Sequence, residues 1–286
     1  MINTMLLVAS GMLCCHSAFA QGEQRSFASM QKSLQPDKTL VYKTIGDREL
    51  SLHIFLPDDF RKTDSRSAFV AIHGGGWVSG TPRRFYPYAN ALVEKGYVGI
   101  SVEYRLVNQK KGITVFDCVK DGRSAIRTIR ANAKSLGIDP KRIAVCGGSA
   151  GAHIAVGTAL FDGVDHEDDD VSLSCRPDAL ILLFPVIDTS SKGYGMKRIG
   201  ENWETLSPVH QVSPGAPPTL IFHGDADKTT PYAGATLFTE RMVKAGNICE
   251  LVTHPGGGHG HINNDMKLFD DAMSRTVDFL NKHLGE

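Results

Sequence analysis

Residues 143–151 read IAVCGGSAG, an apolar run that leads into a serine framed by glycines. The apolar run is typical of a buried strand, and the small residues that follow Gly151 favour a helix. A sharp strand-to-helix turn needs flanking glycines, because the strained turn pushes the serine hydroxyl into the open. Ser149 is therefore predicted to be a nucleophile rather than a helix N-cap in a glycine-rich turn. The turn lacks the lysine of a P-loop.

A second glycine-rich loop lies earlier in the chain, where residues 73–77 read HGGGW directly after an apolar run at 68–72. Three consecutive glycines leave backbone N–H groups uncovered, and uncovered N–H groups can stabilise a tetrahedral oxyanion. We predict that the donors are the N–H groups of Gly75, Gly76 and Ala150, the last being the residue after the candidate nucleophile.

A candidate acid follows a third apolar run, where residues 222–228 read FHGDADK. The loop offers two carboxylates. Asp227 is predicted to be the acid that fixes the tautomer of a histidine and stabilises its imidazolium. Asp225 is the alternative, although a turn-forming role suits it better.

A candidate base lies in the last loop, where residues 256–261 read GGGHGH. His259 is predicted to be the base, with His261 as its rival. His73, which opens the earlier glycine loop, is expected to brace that loop, and Trp77 belongs either to the core or to a pocket wall. Because no His-Glu-x-x-His or Cys/His ligand spacing is present, we expect neither a metal nor another cofactor.

Strand and helix signals alternate along the chain. A hairpin is predicted from residues 40–43 and 50–55, around Gly46-Asp47. Further strands are predicted at 68–72, 97–102, 142–146, 179–184, 219–223 and 250–253, and helices at 116–136, 149–161, 236–245 and 269–280. This alternation predicts an α/β fold with a mostly parallel central sheet and helices on both faces.

Length and charge set the limits of this interpretation. The 286 residues suit one catalytic domain, predicted at 38–284, and the formal net charge is zero. Nothing therefore indicates nucleic acid or an anionic membrane as a partner, and the sequence does not define an oligomeric state. The acidic run at 165–170 lacks the pattern of a calcium loop and is expected to be a solvated loop.

The N-terminus carries a short apolar run at residues 5–13 and the small-residue ending Ala-Phe-Ala at 18–20. This pattern predicts a signal peptide at 1–20 and a periplasmic or secreted protein, and the run is too short to span a bilayer. Cys14-Cys15 raises the alternative of a lipid anchor, but bulky residues precede them. Cleavage would leave four cysteines, enough for one disulfide, whose pairing the sequence does not select: Cys118, Cys146, Cys175 and Cys249.

Taken together, the motifs resemble those of secreted bacterial carboxylesterases of the α/β-hydrolase superfamily, of the acetyl- and feruloyl-esterase kind near the hormone-sensitive-lipase-like group. The order oxyanion loop, Ser, Asp, His is the one this fold uses. The resemblance extends over 38–284, with further support from residues 103–106 (EYRL), Asp121 and residues 136–140 (LGIDP). Gly148 and Ala152 depart from the lipase-like pattern, which favours the carbohydrate-ester branch.

This resemblance implies hydrolysis of a short acyl ester, for example acetyl on xylan or another plant polysaccharide fragment, so the partner would be a small-molecule or oligosaccharide ester. Three alternatives stay open. A prolyl-oligopeptidase-like peptidase would normally carry a large extra domain, for which this chain has no room. A lipase would need an apolar lid, but the segment at 162–178 is polar. A non-catalytic binding protein on this fold would be expected to have lost the Ser or the His, and both are present.

A cap segment that shapes the pocket is expected at 188–211.

Overall fold

The computed structural model describes residues 25–285. The predicted signal peptide at 1–20 lies outside the described residues, as do Cys14 and Cys15. The four cysteines that follow are all free thiols in the described part of the chain, so none of them forms the disulfide that the sequence permitted.

An eight-stranded sheet forms the centre of the molecule, in the order β1-β2-β4-β3-β5-β6-β7-β8. Its strands are β1 Lys38–Ile45, β2 Arg48–Phe55, β3 Arg66–Ile72, β4 Val98–Val102, β5 Ile138–Gly148, β6 Ala179–Leu183, β7 Thr219–Gly224 and β8 Cys249–His254. Strand β2 pairs antiparallel with β1 and β4, and the strands from β4 to β8 in this order are parallel to one another. The predicted α/β fold with a mostly parallel sheet is confirmed.

Helices cover both faces of the sheet. They are α1 Phe27–Ser33, α2 Tyr86–Ala91, α3 Val115–Ala131, α4 Ala133–Leu136, α5 Ala150–Leu160, α6 Met196–Ile199, α7 Tyr232–Lys244 and α8 Met266–Leu284. Alternate residues of β3 enter two separate cores: Val70 and Ile72 pack with α3, α5 and α7, whereas Phe69 and Ala71 pack with α1, α2 and α8. The continuous apolar run of β3 therefore reflects burial on both faces.

Three helices were not predicted: α1, α2 and α6, the last of which lies within the cap segment expected at 188–211. Helix α1 precedes the predicted domain boundary at residue 38 and packs the Phe27 ring against Tyr88 and Phe269, with ring centroids 5.2 and 5.7 Å apart. Helix α2 has only 6 residues, too few to show a helical period in the sequence. The predicted helix at 116–136 is interrupted at Asn132 and ends at Gly137, whose φ of 64° is left-handed.

The acidic run is only in part the solvated loop that was expected. Glu167, Asp168 and Asp170 are exposed, but Asp165 accepts hydrogen bonds from Arg123 at 2.8 Å and pairs with Arg127 at 2.7 Å. Asp169 accepts from Arg127 and from Ser124, at 2.8 and 2.6 Å. Both arginines lie on α3 with side chains 8 % exposed, so the run neutralises two nearly buried cations and fastens its loop to the helix.

Strand order decides where a site can form. Strand β4 lies on one side of β3 in the sheet, and β5 lies on the other side. Strands β6, β7 and β8 then follow β5 in the direction away from β4. In open parallel sheets, ligands bind at the carboxyl ends of the strands where the order reverses. The HGGGW loop leaves β3 and Ser149 leaves β5 at this point.

Candidate active site

Ser149 lies on a strained turn between β5 and α5. Its φ of 54° and ψ of −121° are outside the regions that an L-residue prefers. Neighbouring backbone comes so close that only glycine fits beside it: a Cβ on Gly151 would lie 2.1 Å from the Ile72 carbonyl oxygen. The Ser149 N–H donates to the Leu183 carbonyl at 3.0 Å, which holds the turn against β6.

The structure brings Ser149, His259 and Asp227 into one hydrogen-bonded row. Ser149 Oγ lies 3.0 Å from His259 Nε2, and His259 Nδ1 lies 2.8 Å from Asp227 Oδ2. Ser149 and Asp227 are nearly buried, whereas the His259 side chain is 26 % exposed. The Phe184 ring meets the imidazole edge-on, with ring centroids 5.2 Å apart, and limits its rotation. This is the geometry that a serine nucleophile, a base and an orienting acid require.

The Asp227 carboxylate is surrounded by donors. Oδ1 accepts the N–H groups of Thr229 and Thr230 at 2.8 and 3.0 Å, and Oδ2 accepts the Thr230 hydroxyl at 2.9 Å. His223 Nε2 donates to the Thr230 carbonyl at 2.9 Å and lies 3.3 Å from Oδ2. Burial raises the pKa of Asp227, but hydrogen bonds from His223, His259 and Thr230 outweigh burial and hold it well below its usual range. Asp227 therefore stays ionised.

The rival residues have other partners. His261 Nδ1 donates to the Gly258 carbonyl at 2.8 Å, and His261 Nε2 faces His254 Nδ1 at 2.5 Å. Asp225 Oδ1 accepts the Gly256 N–H at 2.7 Å. Both residues thus tie together the loop that carries His259, and neither contacts Ser149 in the described structure.

In the HGGGW loop, the carbonyl groups of Gly74 and Gly75 accept hydrogen bonds from within the loop or just after it, and the N–H groups of Gly75 and Gly76 point away from these bonds. His73 Nδ1 donates to the Gly74 carbonyl at 2.8 Å, and the Gly75 carbonyl accepts the N–H groups of Val78 and Ser79, both at 3.1 Å. Because trans peptide units are planar, the N–H groups of Gly75 and Gly76 face the opposite way. No residue in the described range 25–285 accepts a hydrogen bond from these two N–H groups or from that of Ala150.

His73 and the EYRL motif hold this loop. The His73 ring stacks on Tyr104 at 4.4 Å, and the Tyr104 hydroxyl donates to the His73 carbonyl at 2.9 Å. The next residue, Arg105, pairs with the buried Asp121 at 2.8 Å. Burial lowers the pKa of His73 to about 4, so His73 is a neutral donor and not a base at neutral pH. Trp77 is fully buried against His153 and belongs to the core.

The segment at 188–211 covers the outer side of the loop. Arg198 Nη1 donates to the Gly76 carbonyl at 3.0 Å and to the Tyr194 hydroxyl at 3.1 Å. Residues 190–198 line an open depression of about 350 Å³. Within residues 25–285 no helix is long and apolar enough to cross a membrane, and no cluster of His, Cys, Asp or Glu is arranged to hold a metal ion.

Comparison with known proteins shows the family of this chain. The BD-FAE family model matches residues 52–190, and the Prolyl oligopeptidase family model matches residues 186–286. Esterase 2 of Thermogutta terrifontis, in its structure phosphoramylated by tabun, is 38 % identical, with a TM-score of 0.81 over 86 % of this chain and 94 % of that one. The chain belongs to the α/β-hydrolase esterases.

Two further relatives bear on the chemistry of this α/β-hydrolase. The butyrate-bound structure of the same Thermogutta terrifontis enzyme is 36 % identical, with a TM-score of 0.80 over 86 % of this chain and 93 % of that one. An acetylxylan esterase of Xylanibacter ruminicola is 25 % identical over 81 % of this chain and 48 % of its own length. The chain spans 12 %, 62 % and 51 % of the length of three curated relatives that it matches.

Sequence reasoning missed several residues that shape the site of this esterase. Thr230 and His223 hold Asp227, and Phe184 packs on His259. A signal was present for one of them, because His223 is the last residue but one of the strand that leads into the acid loop. The Arg198 contact had no sequence signal, since it joins residues 122 positions apart.

Proposed function

We propose that this esterase hydrolyses short-chain carboxylic esters with Ser149 as nucleophile, His259 as general base and Asp227 as the orienting acid. The hydrogen-bonded row of these three side chains, with distances of 3.0 and 2.8 Å, is the observation that carries the proposal. His259 Nε2 accepts the hydroxyl proton while Ser149 Oγ attacks the ester carbonyl. The ionised Asp227 keeps the other imidazole proton on Nδ1 and stabilises the imidazolium that forms.

The oxyanion of the tetrahedral intermediate is proposed to bind the N–H groups of Gly75, Gly76 and Ala150. These groups support the role because they are preorganised and bind no protein acceptor in the described range. The imidazolium then returns its proton to the departing alkoxide, which leaves as alcohol and gives the acyl-enzyme. A water molecule, deprotonated by His259, attacks the acyl carbon, and Ser149 leaves with the proton as the acid is released.

The proposed substrates carry acetyl to butyryl groups, with acetylated xylan or other plant polysaccharide fragments as the natural source. Support comes from the butyrate-bound and propionate-bound structures of the Thermogutta terrifontis relative and from the acetylxylan esterase relative. The polar segment at 162–178 also matters, because it is fastened to α3 by ion pairs and offers no apolar lid. Each added methylene can contribute about 0.8 kcal/mol of binding only while the pocket has room for it.

A panel of aryl esters from acetyl to octanoyl, assayed beside acetylated xylo-oligosaccharides, tests this proposal. We expect kcat/KM to peak between acetyl and butyryl and acetate to be released from the oligosaccharides. Rates that still rise at octanoyl would favour a lipase. Acetyl-ester turnover without oligosaccharide activity would retain the esterase and remove the polysaccharide role.

A peptidase is the second candidate, because residues 186–286 match the Prolyl oligopeptidase family model. The matching half carries Asp227 and His259, whereas the half with the oxyanion loop and Ser149 matches BD-FAE. Aryl amides of the same acyl groups distinguish the two activities. Amide kcat/KM comparable with that of the matched ester would support the peptidase.

Export is proposed from the sequence of residues 1–20 alone. Expression in a host with a secretion pathway, followed by intact mass measurement, tests it. A mature chain that starts at Gln21 supports export, and a chain retaining Met1 in the cytoplasm contradicts it.

A further inference from the structure

We propose that Arg198 forms an anion subsite beside the oxyanion loop and that the preferred ester substrates carry a carboxylate a few bonds from the scissile carbonyl. This inference rests on the proposed function and adds a substrate class to it. The subsite is the depression lined by residues within 190–198, among them Arg198, whose guanidinium donates to the Gly76 carbonyl.

Arg198 is held in place by neutral oxygens. Its Nη1 donates to the Gly76 carbonyl and to the Tyr194 hydroxyl, and its guanidinium lies 5.9 Å from the centre of the Tyr194 ring. The Gly76 contact is close, since a Cβ on Gly76 would lie 2.7 Å from the Tyr194 hydroxyl oxygen. These contacts orient the guanidinium without neutralising its charge.

The remaining donors of Arg198 are available. In the described residues, Nε and Nη2 bind no acceptor, and no carboxylate pairs with Arg198. Lys192, Lys197 and Arg198 all lie between residues 189 and 200, and the acidic residues of the segment at 188–211 lie outside this stretch: Asp188, Glu201 and Glu204.

A guanidinium with an oriented, unused edge matches a carboxylate, whose two oxygens can accept two parallel N–H bonds. The Arg198 guanidinium is placed to bind part of the reacting ester, because Gly76, whose carbonyl it contacts, is also a proposed oxyanion donor. The loop further lies against the nucleophile, since a Cβ on Gly74 would be 3.1 Å from Ser149 Cβ. The carboxylate could belong to the acid part, as in a dicarboxylic half-ester, or to the alcohol part, as in an acetylated uronate.

Two matched substrate pairs separate these sources. In the acid-side pair, the 4-nitrophenyl hemisuccinate is compared with the 4-nitrophenyl butyrate. In the alcohol-side pair, 4-acetoxybenzoate is compared with its methyl ester. For each pair we take the ratio of kcat/KM for the anionic substrate to kcat/KM for the neutral one. We expect this ratio to be about tenfold higher for the wild-type enzyme than for Arg198→Gln in at least one pair. A ratio of about tenfold is the effect expected of one partly exposed charge-assisted hydrogen bond. The pair that responds identifies the source.

Arg176→Gln is the matched control, because Arg176 is exposed and precedes β6 at the amino end of the parallel strands, opposite the site. It should leave both ratios unchanged. Arg198→Lys keeps the charge without the paired donors and should retain part of the preference. The wild-type preference should also fall between about 20 mM and about 500 mM salt.

Equal ratios in wild type and Arg198→Gln for both pairs overturn the inference, as does a wild-type preference for anions that salt does not weaken. If Arg198→Gln does not fold, the Arg198→Lys ratios and the salt dependence decide in its place. If the wild-type enzyme had no activity on neutral esters, the proposed function itself would be contradicted. This result differs from the equal ratios that would contradict only the Arg198 subsite.

Discussion

The histidines of this molecule have different hydrogen-bond partners, and these partners decide which histidine can act as a base. His261 is occupied by His254 and by the Gly258 carbonyl. Burial holds His73 and His153 neutral, with pKa values lowered to about 4. His259 alone of these has a serine hydroxyl on one ring nitrogen and an ionised carboxylate on the other.

Removal of the Ser149 hydroxyl tests the proposed nucleophile. We expect Ser149→Ala to fold normally and to lose about 10⁴- to 10⁶-fold in kcat, because no other group in the row can form the acyl-enzyme. Steady-state kinetics on acetyl esters, with circular dichroism as the folding check, measure this. Ser172→Ala, in an exposed loop, is the control and should keep wild-type rates. A folded Ser149→Ala protein with near-wild-type turnover would rule out the mechanism.

The two histidines of the last loop should respond differently to substitution. His259→Ala is expected to lose as much kcat as Ser149→Ala, since it removes the proposed base. His261→Ala removes only the bonds to His254 and Gly258 and should lower kcat by about tenfold or less, through a looser loop. Parallel kinetics of both variants measure the difference. A larger loss for His261→Ala would move the base by two residues.

At the level of secondary structure, the central strands were predictable because their residues are buried on both faces and read as continuous apolar runs. Helix α1 was not predictable, since its contacts with Tyr88 and Phe269 depend on residues far along the chain. The ion pairs of Asp165 and Asp169 in the acidic run were missed for the same reason. Composition alone indicates solvation, whereas the partners Arg123 and Arg127 lie on a helix some forty residues earlier.

The acidic run supplies a test within itself. Asp165 contacts both arginines with its side chain 21 % exposed, whereas the Asp168 side chain is 85 % exposed. Asp165→Asn should lower the free energy of unfolding by about 1–3 kcal/mol, because two nearly buried guanidinium groups lose a shared partner. Asp168→Asn should change it by less than about 0.5 kcal/mol. Urea unfolding measures both, and equal effects would mean that the loop is solvated as first expected.

For the whole molecule, the strand order brings four separate motifs into one site. The oxyanion loop, the nucleophile and the acid and base leave the carboxyl ends of β3, β5, β7 and β8. Their order along the chain made the fold and the members of the row predictable. The surface beside them could not be predicted, because Arg198 meets Gly76 only through the path of an irregular segment. Motifs thus indicate the reaction class, while the proposed choice among esters depends on tertiary contacts.

Burial of histidines also couples stability to pH. The pKa of six histidines in the described residues is lowered, chiefly by burial: His53, His73, His153, His254, His261 and His283. Each folded pKa lies below the unfolded value of about 6.5. As the pH falls below about 6.5, the unfolded chain therefore binds protons that the folded protein does not, and stability decreases. Above that pH this contribution is fully present.

The fully buried His153 provides the sharpest test of this coupling. Its Nε2 donates to the Leu206 carbonyl at 2.7 Å, and its pKa of about 4 implies a loss of up to about 3 kcal/mol of stability on acidification from pH 6.5 to pH 4. His153→Gln can still donate to Leu206 but does not titrate. We measure the unfolding free energy in urea between about pH 6.5 and about pH 5. For His153→Gln we expect it to fall less steeply with decreasing pH than for the wild type, and the difference in slope should correspond to close to one bound proton. The carboxylates contribute equally to both proteins, so an identical slope in wild type and variant would mean that His153 is already charged, or not buried, in the folded enzyme.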